Sequence, residues 1–194
     1  MARKADVLED QLQFWLLNPA DELLATAHGE RAALTLGSAY FELIACYLAG
    51  AESDGHSQRF FRRGLLEVFP EIADSPKQTA RWLSEVAGHG EGDEIVERIV
   101  KEISRSLYRD LRCGLVHIGL LRPRILLTTG IACNSIMDSE SWTVTCTLID
   151  PSLFLDRIRQ HFRSYITALR QGTDDSLQIN FERLWDARFL SQRP

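Results

Sequence analysis

The chain has 194 residues, 45% of them hydrophobic and 25% charged, with 12 Gly and 6 Pro, which is a globular composition large enough for one domain with a sizeable core. A net charge of −5 excludes indiscriminate binding to nucleic acid, so any RNA or DNA contact must come from a local basic patch. Cys46, Cys113, Cys133 and Cys146 are scattered without a C-x-x-C pair, which argues against a zinc site and a disulfide framework; no metal or cofactor is expected.

Residues 1–17 carry Asp6, Glu9 and Asp10 and lack the apolar core of a signal peptide. No uninterrupted apolar run approaches membrane-spanning length. A cytoplasmic protein with reduced thiols and no membrane partner is the expectation.

The first two thirds predict helices. Leu8, Leu12, Trp15 and Leu16 fall on one face of residues 6–17, and Asn18-Pro19 is expected to stop that run. Residues 29–49 predict a long helix with Ala33, Leu36, Tyr40, Leu43 and Tyr47 inward and Gly50 as its close. Residues 57–69 predict a shorter one with Phe60, Phe61, Leu65 and Val68, ended by Pro70. Ser75-Pro76 signals another through Trp82 and Val86, and 88–92 reads as a connection.

From about Asp93 to Ile118 the pattern gives the longest helix, stopped by Gly119 and Pro123. The period then changes. Residues 124–129 and 141–149 read as two strands of a hairpin across a long loop at 130–140, with Trp142, Val144, Cys146 and Leu148 on one face and Thr143, Thr145 and Thr147 on a half-exposed one. Asp150-Pro151 caps a helix with Phe154, Ile158, Phe162, Tyr165 and Leu169 in register, ended by Gly172. A last helix near Asp174 uses Leu177, Phe181, Leu184 and Trp185. The expected organisation is one mainly α domain over 1–194: a helical core at 1–121, a small β-hairpin at 122–150, and C-terminal helices at 151–194.

Residues 98–124 hold seven cations (Arg98, Lys101, Arg105, Arg109, Arg112, Arg122 and Arg124) against Glu102 and Asp110. At about 100° per residue, the first five share a narrow sector opposite Val96, Val100, Ile103, Leu107, Leu111 and Ile118. Such a stripe is either a solvated charged face or a phosphate-binding surface.

His117 adds a group that exchanges protons near neutral pH. On an ideal α-helix it stands about 140° from Arg112, so the two are not stacked neighbours. A position at the helix C-terminus favours the imidazolium form and suits a general acid. The competing reading is a histidine packed beside an apolar face.

The run Leu107-Tyr108-Arg109-Asp110-Leu111-Arg112-Cys113-Gly114-Leu115-Val116-His117 resembles the signature helix of HEPN (higher eukaryotes and prokaryotes nucleotide-binding) domains, an arginine followed after four to six residues by a histidine. The order of elements after it is similar to a bacterial subset with strands and further helices. The resemblance implies a HEPN-like helical bundle that forms a homodimer, with Arg112 and His117 of both subunits in one composite site. It implies metal-independent endoribonuclease activity by attack of a ribose 2′-hydroxyl on the adjacent phosphate. Arg112 would stabilise the phosphoryl charge and His117 would move the proton, while Arg98, Lys101, Arg105 and Arg109 would hold nucleic acid. The implied setting is bacterial defence or a toxin–antitoxin pair, with RNA or a nucleotide and an antitoxin or other protein as partners. Cys113 stands where many active members carry Asn, Asp or His. That departure keeps open a non-catalytic module using the same basic groove.

Cys113 and His117 are also spaced as a thiol–imidazole pair, but a thiolate is favoured at a helix N-terminus and this one lies at the opposite end. His28, His56, His89 and His161 are expected as solvated surface residues, and Trp15, Trp82, Trp142 and Trp185 as core. Gly88, Gly90 and Gly92 follow no strand and make no phosphate cradle.

Overall fold

Helix α3 (Glu30–Ala49) is apolar on more than one side, and the other elements are laid around it. A computed structural model describes residues 2–74, 92–118, 121–138 and 140–189. Leu34, Tyr40, Phe41, Ile44 and Tyr47 of α3 are buried by α2 (Asn18–Leu24), α4 (Ser57–Val68), α6 (Pro151–Gln171), α7 (Asp175–Phe189) and the segment Leu107–Ile118. Gly50 ends α3 at φ 64°, a left-handed conformation that favours glycine. By length and composition α3 also qualifies to cross a membrane, with mean hydropathy 1.4, and 56% of its apolar window is buried in protein. It is not an uninterrupted apolar run, since Glu42 lies within it and Glu30 and Arg31 at its start.

Phe41 anchors the core. Its ring meets Phe61 at 5.2 Å and Phe154 at 5.6 Å edge-on, and Phe69 stacks on Phe154 at 5.2 Å. Each such pair contributes about 0.5–1.5 kcal/mol beyond area burial. At the α3–α4 crossing the backbones touch: a Cβ on Gly64 would lie 1.8 Å from the Phe41 carbonyl oxygen.

The N-terminal run does not stop at Asn18-Pro19. After α1 (Ala2–Leu12), residues Gln13–Leu17 form a π-helical turn and α2 follows without a break. Pro19 lies in the first turn of α2, directly after the π turn, and its missing N–H removes one bond from the continuous ladder. The wider turn also shifts the facing of the side chains. Leu16 and Leu17 are buried, whereas Phe14 and Trp15 are 67% and 72% exposed, so Trp15 is a surface residue and not a core one.

The long helix is real and changes winding part-way. Helix α5 (Gly92–Ser106) passes into a π-helix over Leu107–Ile118. Ile99, Ile103, Leu107, Leu111 and Leu115 recur every fourth residue and all are buried. In an unbroken α-helix such a row drifts about 40° per step. A winding with more than four residues per turn reverses that drift and keeps the row against α3 and α4.

The strands differ from the expected two-stranded hairpin. β1 (Ile125–Leu127), β2 (Asn134–Met137) and β3 (Val144–Ile149) form a sheet in the order β1-β3-β2. β1 runs parallel to β3, with Leu126 opposite Leu148, and the antiparallel partner of β3 is β2, inside the expected loop. β3 is thus central. Val144 is buried while Trp142, Cys146 and Leu148 are only half-buried, and Thr147 is buried with its hydroxyl 2.8 Å from that of Ser135. Only Thr143 and Thr145 form the expected exposed face.

Asp150 caps α6 by accepting from the Ser152 and Leu153 amides at 2.9 and 3.2 Å, and Gly172 ends it at φ 63°. Phe181, Leu184 and Trp185 of α7 are buried as expected. His161 is not solvated: it is half-buried on α6, within 2.8 Å of the Tyr40 hydroxyl through Nδ1. Burial holds its imidazole below the ordinary value and pushes the Tyr40 phenol up, so both forms favoured at this contact are neutral. The expected helix at Ser75-Pro76 with Trp82, and His89 of the connection expected at 88–92, lie outside the described residues, while Gly92 of that connection opens α5.

Candidate functional site: the π-wound segment and its basic neighbours

The change of winding decides what Leu107–Ile118 can do. In a π-helix, hydrogen bonds join residues five apart, so such residues succeed one another one turn on. Arg112 and His117 are five apart and both lie in this segment. Their backbone positions therefore share a face, where an α-helix would set them about 140° apart. The side chain of His117 lies outside the described residues.

Arg112 is 23% exposed and its Nη2 lies 3.7 Å from a carboxylate oxygen of Glu42, itself 18% exposed, on α3. Ser53 donates to the same carboxylate at 2.6 Å. Arg112 Nε is buried without a hydrogen-bond partner among the described residues. A buried guanidinium donor with no acceptor is uncommon in a native fold and suits an incoming anion. These groups line an open cleft of about 370 Å³ together with Cys46 and Arg188. Arg188 is held by Glu52 at 2.5 and 2.6 Å and lies over the Tyr47 ring at 5.3 Å. Hydrogen bonding from Arg188 lowers the Glu52 carboxyl below its usual range.

The rest of the stripe separates. Arg109 turns to its neighbour Asp110, donating from Nε at 2.7 Å and Nη2 at 3.0 Å. Asp110 is 1% exposed, accepts from the Ser106 hydroxyl at 3.1 Å, and has Arg124 and Arg122 at 3.5 and 3.9 Å. Burial pushes its carboxyl up, but the Arg109 and Ser106 hydrogen bonds and the Arg109 and Arg124 charges outweigh it and leave it below the usual range. Arg109 is therefore committed to a buried carboxylate that also ties β1's approach to the π-wound segment.

Lys101 and Arg105 are exposed and line a second cleft with residues of α4. Arg98 is exposed and reaches the Ser141 carbonyl at 3.5 Å. Thus Arg112 stands apart from Lys101 and Arg105, and the five-residue sector expected from a uniform helix does not persist through the π segment.

Glu42 is a site residue with only a faint mark in the sequence. Its signal is a single carboxylate in the apolar run 32–50, where a charge removed from water requires a partner. Among the described residues no group of three or more His, Cys, Asp or Glu side chains is placed to hold a metal. No protein-family model, no curated protein and no solved structure matches the chain.

Proposed function

We propose that this protein is a HEPN-like, RNA-acting homodimer and a metal-independent endoribonuclease, with Arg112 as phosphate ligand and His117 as proton donor and acceptor. The observation that carries this reading is the π winding of Leu107–Ile118, which sets the two residues on one helical face. The unpartnered Arg112 Nε supports it, since a phosphoryl oxygen is the acceptor that guanidinium lacks. Val116, exposed in the same last turn, leaves apolar surface for a second copy of the helix.

In the proposed reaction a ribose 2′-oxygen loses its proton to an imidazole and attacks the adjacent phosphorus. The bond to the 5′-oxygen breaks, and that oxygen takes a proton as it leaves. The products are a 2′,3′-cyclic phosphate and a free 5′-hydroxyl, with no net change in the enzyme. Arg112 offsets the charge gathered on the phosphoryl oxygens.

The 3.7 Å approach of Glu42 to Arg112 favours a second reading, a binding module in which the guanidinium is held in reserve by a carboxylate. Incubation of the purified protein with RNA in EDTA separates the two. Cleavage that disappears in His117→Ala supports the nuclease; salt-dependent binding without product supports the module. A strict monomer in sedimentation contradicts the composite dimer site.

A further inference from the structure

Two helices place four cations around one groove away from Arg112. Arg59 and Arg62 of α4 stand three residues apart, and Lys101 and Arg105 of α5 stand four apart, so each pair occupies one helical face. Helices α4 and α5 pack together, and the four side chains line a cleft of about 210 Å³ with Gln58 and Ser104. No acidic residue lines it. Among the described residues, none of the four cations has a carboxylate within ion-pair distance.

Several arginines elsewhere are paired with acids. Arg157 pairs with Glu71, Arg170 with Asp6 and Arg188 with Glu52. In a chain with 27 acidic and 22 basic residues, a groove that gathers four cations and no acid is a local reversal of the whole molecule's charge. Like charges in one groove repel, and an anion bound between them removes that cost. Three guanidinium forks and one ammonium suit tetrahedral oxyanions that accept several hydrogen bonds at once.

We infer that the Arg59–Arg62–Lys101–Arg105 cleft is a phosphate-binding site, taking the phosphates of a single RNA strand or of a free phosphate compound. Its wall on α4 lies outside the stripe that the sequence singled out. Arg105 and Arg112 lie seven residues apart on one rod and open onto different clefts, so this site is separate from the Arg112 one. The choice of RNA as the strand rests on the proposed function; the preference for phosphate does not.

The test uses the full chain with two probes: a fluorescein-labelled single-stranded RNA in EDTA, followed by anisotropy, and inorganic pyrophosphate, followed by calorimetry. Arg59→Gln/Arg62→Gln and Lys101→Gln/Arg105→Gln remove one wall each, and Arg59→Lys/Arg62→Lys keeps the charge. A strand site predicts that either Gln pair weakens RNA binding at least tenfold at low salt. It also predicts a fall in the logarithmic salt slope of about 1.4, at about 0.7 per phosphate released, with the Lys pair recovering most of the affinity. Pyrophosphate binding lost in both Gln pairs, with RNA binding unchanged, assigns the same site to a free phosphate compound. Neither probe responding to either Gln pair overturns the inference, provided circular dichroism shows the variants folded. RNA that is bound through Arg59 and Arg62 but never cut contradicts only the nuclease reading and upholds this one.

Discussion

Arg112 of the π-wound segment meets Glu42 of α3 at 3.7 Å, while Ser53 holds the same carboxylate at 2.6 Å. The pair links the most apolar helix to the segment with the sequence signature, and it keeps one charge of the site neutralised. Glu42→Gln removes the competing carboxylate but preserves the side-chain shape. Because both partners are only partly withdrawn from water, the stability loss should be about 1 kcal/mol. RNA affinity should rise several-fold at low salt, read by anisotropy. A fall in affinity would mean that Glu42 positions Arg112 and does not merely offset it.

Asp110 should be the most costly acid to remove from this region. It is buried under Arg109 with Arg122 and Arg124 nearby, so Asp110→Asn leaves three cations around a neutral group. The expected loss is about 3 kcal/mol at neutral pH, measured by urea unfolding. The folded carboxyl titrates below its unfolded value of about 3.9, so its contribution is complete above that pH and is lost as pH falls through the folded value. Wild type should therefore lose stability more steeply in acid than Asp110→Asn.

Tyr40 and His161 predict a second pH dependence with a different window. The folded imidazole titrates below its unfolded value of about 6.5, so its stabilisation is present above that pH and is lost as pH falls toward the folded value. Tm of wild type should drop between pH 7.5 and 5.5. The Tyr40→Phe/His161→Phe double variant, which leaves no buried hydroxyl or imidazole there, should lack that component. An identical pH profile in the two proteins would contradict the neutral assignment.

Gly64 carries the prediction about packing. The α3–α4 approach leaves no room for a methyl group, and the obstacle is the Phe41 main chain, not a flexible side chain. Gly64→Ala should cost at least about 3 kcal/mol, or prevent soluble expression, even though alanine is the better helix former. Gly55, with open space around it and φ 69°, provides the comparison: Gly55→Asn should be tolerated.

What the sequence made legible was local chemistry. Gly50 and Gly172 as helix ends, Asp150 as a cap and the apolar rows of the C-terminal helices need only neighbours within a few residues, and they stand where expected. The mainly helical architecture followed from those signals. The π winding did not, because Val96, Val100, Ile103, Leu107 and Leu111 also read as one face of a regular α-helix. That single ambiguity also misplaced Arg112 relative to Lys101 and Arg105, and a similar one put Trp15 in the core. β1 was read as half of a hairpin because its parallel pairing with β3 is non-local. Arg59 and Arg62 carry no local signal for the same reason: their cleft exists only once α4 and α5 are packed.

The most direct measurement is the rate of RNA cleavage in EDTA by wild type, Arg112→Ala, His117→Ala and the double variant, with the product ends identified. Groups that act as one unit are not additive, so each single change should lower the rate by about 10²-fold or more, and the double variant should be no slower than the worse single. Wild-type product should end in a 2′,3′-cyclic phosphate. Wild-type cleavage that His117→Ala leaves intact, or product ends that carry no cyclic phosphate, would contradict the pairing of Arg112 with His117 as the reactive centre.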